Sequence, residues 1–159
     1  MNRIGQGWDR HRLVADRPFI LGGVTFPEAE LGLLGHSDAD ALCHAITDAL
    51  LGAAALGDIG QHFPDTDPRF AGADSIVLLQ KAWNLVAGAG FQLGNIDATV
   101  ICEQPKIAPR SLEIRQNLAR ALDLPLDCIS LKATRGEGLG PEGRGECLTA
   151  QAIVLLEKP

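Results

Sequence analysis

Residues 36–68, HSDADALCHAITDALLGAAALGDIGQHFPDTDP, constrain this chain more than any other stretch. They gather three of the four histidines and six aspartates into one segment. Leu42, Ile46, Ala49, Leu50 and Ala53 recur at helical spacing, and Gly57 is placed to end the helix. Ser37 followed by Asp40 matches the S-x-x-[DE] signature of a helix start, so the spacing predicts a capped helix over 36–56. Asp40, His44 and Asp48 stand four residues apart and form one polar stripe on an otherwise apolar helix. An Ala- and Leu-rich helix packs without such groups. Acids and imidazoles brought against a core need a partner, and a metal ion supplies one.

With 159 residues, 46% of them hydrophobic, the chain has material for one domain, 1–159, with a real core. A net charge of -6 argues against nucleic acid as a partner. Cys43, Cys102, Cys128 and Cys147 form no C-x-x-C pair. They read as small buried residues of a reducing compartment, not as a disulfide frame or a thiolate zinc site. The start, MNRIGQGWDRHRL, lacks the apolar region of a signal peptide. No run approaches the ~20 apolar residues of a membrane span. The expectation is a soluble, cytoplasmic, bacterial protein that uses neither membrane nor nucleic acid.

Residues 3–9 read as a first strand leading into Asp9-Arg10-His11. If the extended backbone continues, Asp9 and His11 point to the same side. An isolated D-x-H is ordinarily a surface acid beside a histidine; next to His44 the three make an open-site zinc set. Gly22-Gly23 divides FILGGVTF into a hairpin. Beyond the His-rich helix, residues 58–68 are too acidic and proline-rich for regular structure and fit either a solvated turn or part of a site. Asp74 can cap a second helix to about Gly88, with Ile76, Leu79, Trp83 and Val86 on its apolar side. A strand follows from about Ile96 to Glu103. Pro109 suits the first turn of a third helix to about Leu122, whose Arg110, Arg115 and Arg120 read mostly as a solvated face. Strands over 129–134 and 148–157 close the chain. This order gives an α+β fold: a mixed four-stranded sheet with helices on one face, plus a small hairpin. Both faces of the last strand are apolar enough to favour a homo-oligomer packed through its sheets.

Between those last strands, RGEGLGPEGRGE (135–146) places five glycines near Lys132, Arg135 and Arg144. It could cradle phosphate through backbone N–H groups or be a flexible surface loop. It matches neither the Walker pattern nor G-x-G-x-x-G. Two imidazoles and a carboxylate hold Zn²⁺ in three positions and leave a fourth for substrate. A hard ligand such as Glu137 suits Mg²⁺ or Mn²⁺ bound together with a diphosphate. No Ser-His-Asp or Cys-His pattern supports a covalent intermediate. The composite grips phosphates and works by positioning and charge stabilisation.

Asp9-Arg10-His11, the 36–68 block, Gln104-Pro105-Lys106 and the 132–146 segment together resemble the 2-C-methyl-D-erythritol 2,4-cyclodiphosphate synthases, over essentially the whole chain. The resemblance implies a homotrimer of α+β subunits with active sites at subunit interfaces, serving the non-mevalonate isoprenoid route. It implies that the substrate, 4-diphosphocytidyl-2-C-methyl-D-erythritol 2-phosphate, closes on itself: its 2-phosphate attacks the β-phosphorus and CMP leaves. By position, Asp9, His11 and His44 are the implied zinc ligands and also border the substrate. His36 and Ser37 are implied at the phosphates, His36 in a catalytic part. Asp58, Ile59 and Gly60 are implied at the erythritol portion, with Phe63, Pro64, Asp65, Thr66 and Asp67 lining the same pocket. Glu137 is the implied holder of Mg²⁺ or Mn²⁺. Cys102, Glu103, Gln104, Pro105, Lys106, Ile107 and Ala108, with Ala133 and Thr134, are implied to hold the cytidine end from a neighbouring subunit. Arg144 and Glu146 are implied near the trimer axis, around a cavity able to take an isoprenoid diphosphate.

Two positions depart from the family pattern. Arg135 stands where a second threonine is usual; its guanidinium can serve a phosphate in catalysis or point to solvent. Pro141 stands where phenylalanine is frequent. Besides the cyclising enzyme, two other classes are open: a trimer that only senses isoprenoid diphosphates, and a zinc phosphohydrolase. The sequence offers no evident general base for the latter. At this length there is no room for a fused cytidylyltransferase domain.

Overall fold

The computed structural model describes residues 1–158. In chain order the elements are β1 (Asn2–Val14), β2 (Ile20–Leu21), β3 (Val24–Thr25), β4 (Gly32–Leu33), α1 (Ala41–Ala53), α2 (Ile59–His62) and α3 (Ser75–Gly88). They continue with β5 (Gln92–Ile101), α4 (Ser111–Leu122), β6 (Ile129–Thr134), α5 (Gly140–Gly143) and β7 (Cys147–Glu157). The expected α+β order is therefore present. The sheet has five strands, in the order β4-β1-β7-β5-β6, because the two-residue β4 pairs with the far end of β1. Two residues leave no period to read, so the expectation of four strands misses it. Only the β5–β6 pair is parallel; β7 runs antiparallel to both neighbours, in register from Asn2↔Glu157 to Arg12↔Cys147 on the β1 side.

The first strand extends well past the expected 3–9, so Asp9 and His11 lie inside it and share a face. On that same face are Gly5 and Gly7, over which α1 is laid. A Cβ on Gly5 would stand 1.8 Å from the Ala49 carbonyl oxygen, and one on Gly7 1.7 Å from that of Ala45. Helix and strand thus meet backbone to backbone. Leu42, Ile46, Leu50 and Leu51 of α1 are fully buried against the sheet and α3. Burying each such side chain is worth about 1.5–3 kcal/mol, enough to hold this mostly apolar helix in place.

The helix limits differ from the 36–56 expectation. Asp40, not Ser37, is the N-cap, accepting from the Cys43 N–H, and the helix ends at Ala53 before Gly57. Asp40 also accepts from the backbone N–H groups of Gly22 and Gly23, both at positive φ in the β2–β3 turn, as a two-residue hairpin of this kind requires. The hairpin is thereby pinned to the helix start. The 58–68 stretch, expected to be irregular, contains α2 and a 3-10 turn at Pro68–Phe70, capped by Asp58 and Asp67. The 135–146 stretch likewise contains α5. Arg115 is not part of a solvated face: it donates to the Ile129 and Leu126 carbonyls and ties α4 to the start of β6. On the sheet face away from α1, Ile4 and Ile153 are exposed, and Arg10 lies over the Trp8 ring. Among the described residues no helix is long and apolar enough to cross a membrane.

Candidate metal centre and active site

Because α1 is seated on Gly5 and Gly7, the next turn of the helix brings His44 directly over the following residues of β1. His11 Nε2 and His44 Nδ1 stand 2.9 and 3.0 Å from Asp9 Oδ2, and 3.2 Å from one another. His11 Nδ1 lies 2.7 Å from the Leu34 carbonyl oxygen. A carbonyl can only accept, so Nδ1 carries the proton and the neutral ring offers a lone pair at Nε2. A lone pair facing a carboxylate oxygen at hydrogen-bond distance is repulsive unless a cation stands between them. The donor set, two imidazole nitrogens and one carboxylate oxygen, fits zinc with one position left open.

Protonation follows the same logic. Burial would raise the Asp9 carboxyl, but hydrogen bonds from His11 and His44 and their charge outweigh it and hold the group well below the ordinary range. Burial pulls His11 down; its contact with Asp9 and the Leu34 carbonyl prevail, and the net shift is upward. Below that raised value, and where no metal is bound, a proton takes its place.

The expected polar stripe of α1 divides in three. Only His44 joins the metal set. Asp40 is fully buried, its carboxyl pushed up by burial and its oxygens occupied by backbone donors. Asp48, also pushed up by burial, accepts from the Ile59 N–H at 2.7 Å and moors α2. Both aspartates organise neighbouring backbone, because hairpin turns and short helices carry unpaired N–H groups that a nearby carboxylate satisfies.

Around the centre is a cleft of about 360 Å³, lined on its rim by His36, Ser37, Ile59, Gly60, Phe63 and Asp65. The structure therefore brings together most of the first group of expected site residues. His36 is exposed, its Nε2 3.2 Å from the Asp67 carbonyl oxygen. Asp58 caps α2 and accepts from the Gln61 side chain, and the Asp67 carboxylate is paired with Arg69. Pro64 and Thr66 lie in the turn between Phe63 and Asp67. Phe70 and Leu78 complete the apolar wall without having been expected there.

The second expected group is elsewhere. Glu103, Gln104 and Pro105 border a separate cavity, also about 360 Å³, that shares no lining residue with the first; Arg144, expected near a trimer axis, lines this second cavity as well. Cys102 and Ile107 are buried beside it, Lys106 and Ala108 are exposed, and Ala133 and Thr134 form the exposed end of β6. The Cys102 thiol donates to the Gln104 carbonyl, and burial pushes it up to about 12. The Glu103 carboxylate accepts from the Gly136 N–H, joining this loop to the glycine-rich segment. The cations of that segment already have partners: Lys132 with Asp97, Arg144 with Glu146, and Arg135 with Glu137 at 3.7 Å. This speaks against an open phosphate cradle within one subunit. Glu137 belongs to no cluster of three ligands among the described residues.

The hydrogen bonds behind His44 were not expected from the sequence, nor were Ser75 and Asp38 as members of the site. On its far side, His44 Nε2 lies 2.9 Å from Ser75 Oγ and 3.2 Å from Ser37 Oγ. Ser75, 31 residues away in sequence, in turn donates to the Asp38 carboxylate. Ser75 reads in the sequence as the residue after a helix cap, and nothing there links it to a histidine.

A family model described as the YgbB family matches residues 2–157. A curated relative from Gloeobacter violaceus, a 2-C-methyl-D-erythritol 2,4-cyclodiphosphate synthase, is 60% identical over 98% of this chain and 95% of its own length. Among solved structures, the bifunctional IspDF of Campylobacter jejuni superposes with a TM-score of 0.96 at 42% identity. That match covers 100% of this chain, which spans 43% of that one. A 2C-methyl-D-erythritol-2,4-cyclodiphosphate synthase in its CDP-bound form superposes with a TM-score of 0.90 at 43% identity, covering 98% of this chain and 100% of that one.

Proposed function

The chain belongs to the YgbB family, and from that premise we propose that it is a 2-C-methyl-D-erythritol 2,4-cyclodiphosphate synthase over its whole length, 1–159, acting in isoprenoid biosynthesis. The observation that carries this reading is the convergence of Asp9 Oδ2, His11 Nε2 and His44 Nδ1 in a cleft with His36 and Ser37 at its rim.

The reaction is a phosphorus–oxygen lyase step. A 2-phosphate oxygen of the substrate bonds to the β-phosphorus, the bond from that phosphorus to the CMP oxygen breaks, and an eight-membered cyclic diphosphate remains. Asp9, His11 and His44 would hold zinc, which supplies positive charge at the β-phosphate. His36 and Ser37 orient the phosphates, and His36 stabilises the charge that builds up in the transition state. Ile59, Gly60 and Asp58 bound the erythritol portion, while Phe63, Pro64, Asp65, Thr66 and Asp67 close the pocket wall. The apolar wall of Phe63, Phe70 and Leu78 limits water at the reacting phosphorus and so favours the internal nucleophile over hydrolysis.

The cytidine end is held by Cys102 to Ala108 with Ala133 and Thr134 of a neighbouring subunit. Glu137 would hold Mg²⁺ or Mn²⁺ with the diphosphate, and Arg135 lies beside it. A homotrimer packed through its sheets supports this arrangement in two ways: it would cover Ile4 and Ile153, and it would supply the cytidine residues that lie away from the metal cleft. Arg144 and Glu146 then face the trimer axis, at a cavity for an isoprenoid diphosphate. A bacterial cytoplasmic setting belongs to the same reading and agrees with four free thiols.

The test is CMP release from the cytidyl diphosphate substrate with zinc and magnesium present, followed by phosphorus NMR of the product. CMP with a cyclic diphosphate is expected. An open-chain product with two phosphate monoesters and no P–O–P linkage would indicate a phosphohydrolase, and a zinc-loaded trimer that releases no CMP would leave a binding protein.

A further inference from the structure

The hydrogen bonds behind His44 run in one direction. Asp38 accepts from the Ser75 backbone N–H through Oδ2, and from the Asp40 N–H and the Ser75 hydroxyl through Oδ1. A carboxylate in this position has no proton to give, so the single hydroxyl proton of Ser75 is committed to Asp38. Ser75 Oγ is then left with lone pairs alone toward His44 Nε2, 2.9 Å away, and Nε2 must carry the hydrogen. Ser37 Oγ, 3.2 Å from the same nitrogen, accepts the Ala39 N–H and gives the ring a weaker second acceptor.

We propose that Ser75, held by Asp38, is a positioning residue that keeps the His44 proton on Nε2 and leaves the Nδ1 lone pair facing Asp9 and His11 for the metal. Without that relay Nδ1 is the nitrogen most inclined to hold the proton, since it lies 3.0 Å from the Asp9 carboxylate. The tautomer that suits the bare carboxylate is the wrong one for a metal. Ser75 is fully buried and opens α3, so the relay also fastens that helix to the 36–40 segment that carries His36 and Ser37. The inference rests on the proposed metal reading of Asp9, His11 and His44.

Zinc affinity of the full-length apoprotein, measured by competition with a chromophoric chelator, tests it independently of turnover. Ser75→Ala is expected to bind zinc about 10–100-fold more weakly than the unaltered chain, the usual cost of losing a group that orients a ligand. Circular dichroism and assembly should be unchanged, because Asp38 keeps two backbone donors. Ser75→Thr, which retains the hydroxyl, is expected to recover most of the affinity. Equal zinc affinity in Ser75→Ala, or a Ser75→Thr variant as weak as Ser75→Ala, overturns the relay. If the unaltered chain itself fails to bind zinc, the metal reading falls and the relay with it. If it binds zinc but releases no CMP, only the proposed reaction falls.

Discussion

Gly7 lies directly beneath Ala45: a single methyl group on Gly7 would be driven to 1.7 Å from the Ala45 carbonyl oxygen. The helix that carries His44 can reach the strand that carries Asp9 and His11 only because that methyl is missing. Backbone cannot yield as a flexible side chain does, so Gly7→Ala must lift α1 off β1. The expected cost is about 3 kcal/mol, at the upper end of overpacking penalties, read from the midpoint of urea unfolding. A variant as stable as the parent would show that the helix seat is not tight.

Gly52 provides the opposite case. It lies inside α1, near the helix end, with nothing within 4 Å of a Cβ built on it. Gly52→Ala should therefore stabilise the chain by about 0.5–1 kcal/mol, through backbone entropy alone. A loss of stability in the same unfolding experiment would place a contact at that site that this subunit does not contain.

His44 joins the metal set from a different element than its two partners. Removing it leaves the D-x-H pair on β1 with two ligands, one short of the three that an open zinc site needs. His44→Ala should lower zinc affinity by more than about 100-fold, beyond the range for orienting residues, while the fold persists. Chelator competition measures the first and circular dichroism the second. Near-normal zinc binding would move the site away from His44.

The contrast between these residues shows what could be read in advance. Asp9, His11 and His44 are legible because alternation along a strand and the i, i+4 rule on a helix place them without knowledge of the rest of the fold. Asp40 and Asp48 obey the same spacing as His44, yet serve the backbone of a hairpin and of α2. Spacing gives direction along one element, whereas the partner of a buried carboxylate is decided by what packs against it. For the same reason the Gly5–Gly7 contact and the Ser75–Asp38 relay are invisible locally: each joins elements whose mutual placement only tertiary packing sets. The two-residue β4 lies below any period at all.

Acidity should act on the metal site through histidine, not through Asp9. The Asp9 carboxyl is depressed well below its ordinary 3.8, so it is ionised throughout the working range and adds no pH dependence there. His11 is raised above its ordinary 6.5, which in the metal-free chain means that its pairing with Asp9 stabilises fully below pH 6.5 and fades as pH rises through the raised value. Zinc requires the neutral ring, so each pH unit below that raised value should cost about tenfold in affinity. The gap in melting temperature between zinc-loaded and zinc-free protein should accordingly widen from pH 6 to pH 8. A gap that stays constant would mean that His11 gives up no proton on binding.

Arg135 lies 3.7 Å from the Glu137 carboxylate, and both side chains are largely exposed. An exposed pair of this kind contributes little to stability, so Arg135→Thr should melt with the parent. Its effect should appear at Glu137, because the guanidinium competes for the carboxylate that the proposed mechanism assigns to Mg²⁺ or Mn²⁺. Substitution is expected to keep or raise CMP release and to lower the half-saturating magnesium concentration severalfold. A titration of turnover against magnesium at fixed zinc reads both quantities at once. Loss of turnover with fold and zinc binding intact would make Arg135 itself a group that acts on the phosphates. An unchanged magnesium requirement would instead separate Glu137 from the metal.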